Sequence, residues 1–144
     1  TNKKIFCITS DGEINEGSTW EAALFIAHHN LTNVIWLIDR NNLQGYGRTE
    51  DVMKLEPLHE KLEAFGFHVL GVDGHSFESM ENAKRQTQNS KHPTVIICNT
   101  TKGHGWKTYE DKVDCHYLPM KDYQYDLVKN EVRNDFEKGI SVVK

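Results

Sequence analysis

Cysteine is scarce in this 144-residue sequence: Cys7, Cys98 and Cys115 are odd in number and lack the close pairing of a disulfide framework or a Cys-x-x-Cys metal site. Cys7 and Cys98 fall in apolar, strand-like runs, so we read them as buried thiols in a reducing, cytoplasmic compartment. No apolar run approaches the ~20 residues of a membrane span, and no signal peptide is visible. A strong charge of either sign is also missing. The net charge is -4 and the basic residues are scattered, which argues against a nucleic-acid surface or a membrane-binding face. Repeats and low-complexity stretches are absent. Domains commonly run to ~100–200 residues, so residues 1–144 read as a single domain able to build a core without disulfides. The chain begins at Thr1 and enters a strand almost at once. We read it as a piece of a longer or processed polypeptide, lacking its amino-terminal part.

Four short runs rich in Val, Ile and aromatics recur at residues 5–9, 34–39, 67–72 and 94–99. Helical patterns separate them. Trp20, Leu24, Ala27 and Leu31 recur at helix spacing after start signals at residues 15–18. Leu55, Leu58, Leu62 and Phe65 do the same before a stop at Gly66. Ser76 is placed to cap a helix reaching about Gln88, and a last helix covers roughly residues 122–138. Strands alternating with helices predict α/β units: a parallel sheet flanked by helices, with right-handed crossovers. The irregular parts are residues 44–49 and 101–119, and a loop as long as the second is usually functional or mobile.

Two segments carry the chemistry. Ser10-Asp11-Gly12-Glu13 closes the first apolar run and Asn41-Asn42-Leu43 closes the second. In an open parallel sheet, ligands bind at the carboxyl ends of strands. A carboxylate, a side-chain amide and a backbone carbonyl are hard oxygen donors, suited to Mg²⁺ holding a phosphate. Alone, Asp11 reads equally well as a helix cap and Asn41-Asn42 as a turn. Gly12 lets the backbone pass close to a phosphate, and the helix after it would point its amino-terminal amides there. Glu16 alone reads as a first-turn helix acid, and His116 alone as a surface-loop histidine.

Residues 11–22, Asn41-Asn42-Leu43-Gln44, Leu55-Glu56-Pro57-Leu58, residues 64–69, Val72-Asp73-Gly74-His75, residues 101–105 and Lys112-Val113-Asp114-Cys115-His116 together resemble the transketolase family. The likeness is strongest to the amino-terminal subunit of split, bacterial-type transketolases. It implies a thiamine diphosphate-binding fold, specifically the diphosphate-binding half. It implies Mg²⁺ on Asp11, Asn41 and the Leu43 carbonyl. It also implies a cofactor-binding role for Gly12, within the Ser10–Glu13 segment that includes Glu13. Glu16 would be an interface acid coupled to the glutamate that activates the cofactor. His116 would be an active-site histidine near the diphosphate and the transferred group. The implied activity is transfer of a two-carbon ketol unit between sugars or sugar phosphates. The chain would be inactive without a pyrimidine-binding domain or carboxy-terminal subunit, in a homo- or hetero-oligomer whose interface uses the face carrying Glu16, Trp20 and Phe25.

Two departures stand out. Ser10 replaces the usual glycine, and Gly45-Tyr46-Gly47-Arg48 replaces a more usual apolar-Asp-Gly segment. The Gly-Tyr-Gly stretch also resembles the alpha subunits of 2-oxo acid dehydrogenase first components, and Ser10 leaves open a non-catalytic scaffold.

Overall fold

The computed structural model describes residues 3–138. Its centre is a four-stranded sheet of β1 (Ile5–Ser10), β2 (Val34–Arg40), β5 (His68–Asp73) and β6 (Thr94–Asn99), in the order β1-β2-β6-β5. Every pairing in it is parallel. Two-residue strands β3 (Leu43–Gln44) and β4 (Gly47–Arg48) form a small antiparallel hairpin. The helices are α1 (Gly17–His28), α2 (Thr49–Val52), α3 (Leu58–Phe65), α4 (Phe77–Gln88), α5 (Asp114–Tyr117) and α6 (Asp122–Glu137). The parallel α/β sheet expected from the alternating pattern is therefore present.

Local signals explain the element ends. Gly66 stops α3 with φ +102°, a left-handed conformation that favours glycine. Ser76 accepts a hydrogen bond from Ser79 N at 3.2 Å and caps α4. Gly74 is forced by close approach, because a Cβ there would lie 2.5 Å from Thr100 Cγ2. Residues 44–49, expected as irregular, hold most of the β3–β4 hairpin. The loop at residues 101–119 contains the short helix α5, and α6 packs on that loop through Thr108–Glu131 and Lys107–Asp135 contacts.

Side-chain direction departs from expectation in two places. On α1 the fully buried residue is Ala23, while Leu24 and Phe25 face outward. Trp20 is half-buried, stacks at 5.5 Å on Phe65 and donates its indole N–H to Ile14 O. Cys7, expected to be buried, is exposed. The cause is topological: β1 is an edge strand, so Ile5, Phe6 and Ile8 are also exposed. Hydrophobicity predicts a strand but not whether anything lies beside it. Cys98, on the interior strand β6, is buried, and burial pushes its thiol up to about 11. Among the described residues no helix is long and apolar enough to cross a membrane.

These placements predict different reactivities and stabilities. Iodoacetamide at pH 8 should modify Cys7 in the folded chain and reach Cys98 only after unfolding, as read by peptide mass spectrometry. Leu62→Ala, at a fully buried site, should cost about 2–5 kcal/mol in urea unfolding. Leu24→Ala, on the outward face, should shift stability by no more than about 0.5 kcal/mol.

Candidate functional site

The register of β1 on β2 pairs Ser10 with Asp39, so the residues that follow each strand emerge side by side. Asp11 N donates to Asp39 O at 3.2 Å. The Asp11 side chain is 1% exposed, and its two oxygens have opposite situations. Oδ2 accepts from Asn42 N at 2.8 Å, Thr49 Oγ1 at 2.9 Å and Arg40 Nη1 at 3.1 Å. Oδ1 is buried without a hydrogen-bond partner. A buried carboxylate oxygen with no partner is costly, and a cation is the partner that its charge suits.

Asn41, also buried, is oriented at both ends of its amide. Its Nδ2 donates to Asp39 Oδ2 at 3.2 Å and its Oδ1 accepts from Leu43 N at 3.0 Å. A carboxylate can only accept here and a backbone N–H can only donate, which assigns the amide oxygen. That oxygen keeps a second lone pair. Asp39 is held in turn by Thr100 Oγ1, and Thr100 N donates to Arg40 O at 3.2 Å. The ends of β2 and β6 are thereby tied together around Asn41. The donor set of one carboxylate, one amide oxygen and a carbonyl in the adjoining hairpin fits a hard divalent cation.

Gly12 has φ -65°, a conformation open to any residue. A Cβ there would meet Gln44 Cγ and Ser10 Oγ only at 3.7 Å. The chain's own packing therefore leaves a methyl-sized space over Gly12. The helix expected to start directly after Gly12 does not: one 3₁₀ turn, Glu13–Asn15, intervenes and α1 begins at Gly17. Glu13 folds back on Ser10, its Oε2 accepting from Ser10 N at 2.8 Å and Ser10 Oγ at 3.2 Å. The Ser10 hydroxyl is occupied in holding this turn. Glu16 lies exposed at the N-cap of α1 with no side-chain capping bond.

His116 arrives from far along the chain. A Cβ built on Gly45 would lie 3.5 Å from its Cδ2 and 3.6 Å from its Nε2, so the imidazole sits over the hairpin. The hairpin links the parts: Leu43 follows Asn41, Gln44 borders Gly12, and Gly45 lies under His116.

Three participants escape the motif. Arg40 is buried and also pairs with Glu50 at 2.8 Å and Glu56 at 3.2 Å. It shares the core-facing parity of Trp36 and Ile38 in β2, and that parity was the available signal for an arginine needing buried partners. Thr49 is wholly buried, and Gln44 is buried with its Nε2 unpartnered. Nothing in their local sequence marks either one, because each acts through a fold contact.

Known proteins share this sequence and fold. The profile for "Transketolase, thiamine diphosphate binding domain" matches residues 1–143. One of the two subunits of the apulose-4-phosphate transketolase of Actinobacillus succinogenes is 37% identical over 135 residues, covering 94% of this chain and 49% of its own. The 6-deoxy-6-sulfo-D-fructose transketolase subunit of a Clostridium species is 34% identical, covering 91% of this chain and 48% of its own. The chain thus spans about half the length of these relatives. The crystal structure of transketolase from Campylobacter jejuni superposes with a TM-score of 0.84 at 30% identity, over 91% of this chain and 21% of that one.

The hydrogen bonds on Asp11 generate a stability test. Thr49→Val keeps the shape and removes one donor to a charged oxygen. It should cost about 1.5–3 kcal/mol in denaturant unfolding, whereas Thr108→Val, on the outer loop, should cost less than about 1.5 kcal/mol.

Proposed function

The chain belongs to the transketolase thiamine diphosphate-binding domain family, and on that premise we propose that it supplies the diphosphate and Mg²⁺ half of a catalytic site. The whole enzyme would transfer a two-carbon ketol unit between sugars or sugar phosphates, as a transketolase-type transferase. The observation that carries this reading is the Asp11 carboxylate, with one oxygen saturated and the other buried and bare.

The residues take distinct roles. Asp11 Oδ1, Asn41 Oδ1 and the Leu43 carbonyl hold Mg²⁺. The open space over Gly12 admits a diphosphate oxygen, and Gln44 Nε2, buried beside it, can donate to one. Glu13 keeps the Ser10 turn closed beneath that space. His116, held over Gly45, offers an imidazole to the diphosphate and the transferred group. When bound, the cofactor supplies a thiazolium ring that acts as an electron sink. The protein's part here is to bind, orient and exclude water.

A partner with a pyrimidine-binding domain completes the site in this reading, and the chain is inactive without it. Both relatives named above are subunits of transketolases. The edge strand β1 and the outer face of α1 also leave Ile5, Phe6, Ile8, Leu24 and Phe25 exposed, more apolar surface than scattered exposure explains. Glu16, exposed at the start of α1, is placed to reach across such an interface. Three free cysteines suit a reducing compartment, which supports a cytoplasmic location.

Titration calorimetry on the chain assembled with its partner tests the reading. Asp11→Asn keeps the shape and removes the charge. It should weaken Mg²⁺-dependent thiamine diphosphate binding by more than the ~10–100-fold lost with an outer-shell partner. Gln44→Leu should weaken it by about tenfold, the worth of one hydrogen bond to a charged oxygen. If Asn at position 11 leaves binding as tight as in the parent, the Mg²⁺ assignment is wrong. A parent assembly that binds no cofactor would make the chain a scaffold.

A further inference from the structure

The segment Gly45-Tyr46-Gly47-Arg48, which departs from the family pattern, makes the longest-range charged contact at the site. Arg48 closes the β3–β4 hairpin, and its guanidinium meets Asp111 with both forks: Nη1 to Oδ1 at 2.6 Å and Nη2 to Oδ2 at 2.5 Å. The two residues are 63 positions apart. Parallel two-bond pairing is the strongest geometry open to an arginine and a carboxylate. Arg48 holds the Asp111 carboxyl below its ordinary value, chiefly by that hydrogen bonding. The pair therefore persists through mild acid and is lost only as the pH falls below the usual carboxylate range.

Asp111 is well placed to transmit this contact. Its backbone has φ +57° and its N–H donates to Lys102 O at 2.9 Å, closing the loop on itself. From Asp111 the chain runs through one tight turn to His116: Cys115 N donates to Lys112 O and His116 N to Val113 O. Cys115 Sγ also donates to Tyr109 O at 2.9 Å, pinning the turn from behind. Anchoring Asp111 on the hairpin thus leaves His116 little freedom over Gly45.

We propose that Arg48 and Asp111 form a latch that seats the loop of residues 101–119 on the β3–β4 hairpin and sets the His116 imidazole above Gly45. Both are positioning residues acting through His116. The inference rests on the half-site reading above and adds to it the device that assembles the site from distant segments.

The test uses the chain with its partner subunit, as Arg48→Ala, Asp111→Ala and the charge-swapped pair Arg48→Asp with Asp111→Arg. Amide hydrogen exchange over residues 112–118 is read alongside calorimetric binding of thiamine diphosphate with Mg²⁺. Each single variant should speed exchange in that segment and weaken cofactor binding about two- to fivefold, the range of an exposed ion pair. The swapped pair should return both readings toward the parent. Unchanged exchange in the single variants, normal cofactor affinity despite faster exchange, or a swapped pair as impaired as the singles would overturn the latch. So would faster exchange spread equally through β2 and β6, which would mean a general loss of structure. If the parent itself binds no cofactor, the half-site reading fails, and the latch stands or falls on exchange and its rescue by the swap.

Discussion

The Asp11 carboxylate joins three segments that nothing else holds in common. It ends β1, accepts from the backbone just after β2, and accepts from the hydroxyl that begins α2. Arg40 extends the same network to Glu50 and Glu56. A buried carboxylate is tolerated only when its charge is matched and its lone pairs are used. Here the match is uneven: all donors crowd onto Oδ2 and Oδ1 is left bare. The donors on Oδ2 fix the rotamer, and the fixed rotamer leaves Oδ1 free for a cation. Rigidity on one side of the group creates the binding capacity on the other.

The hairpin after β2 extends this arrangement outward. It is short, with only two residues in each strand, yet it touches every other part of the site. Gln44 borders Gly12, Gly45 supports His116, and Arg48 grips Asp111. So small an element has little stability of its own. Its position comes from the Asp11 network at its base and the ion pair at its tip.

The family match and the exposed apolar residues bear on the same question from two directions. The sheet buries its interior strands well, with Ile35, Ile38, Val95 and Ile96 nearly inaccessible, while β1 stays open. Burial of this kind contributes roughly 25 cal/mol per Å², so the open residues represent stabilisation that covering β1 and α1 would add. A chain matching about half of its relatives' length with one sheet edge uncovered is consistent with half of a larger assembly.

Sequence alone determined the alternation of strands and helices, the caps at Ser76 and Gly66, and the candidate oxygen ligands, because these depend on neighbours a few residues apart. Period-two patterning predicts strands, and acid and amide residues after a strand mark the sheet edge where ligands bind. Tertiary structure decided the rest. Cys7 and Leu24 are apolar by composition and exposed in place, since burial depends on what packs alongside. Arg40, Gln44 and Thr49 acquire their roles only through partners brought close by strand register and the hairpin. Which oxygen of Asp11 is free, and where His116 sits, follow from hydrogen bonds and contacts between residues tens of positions apart. Local sequence cannot specify such contacts, because their geometry exists only once the chain has closed on itself.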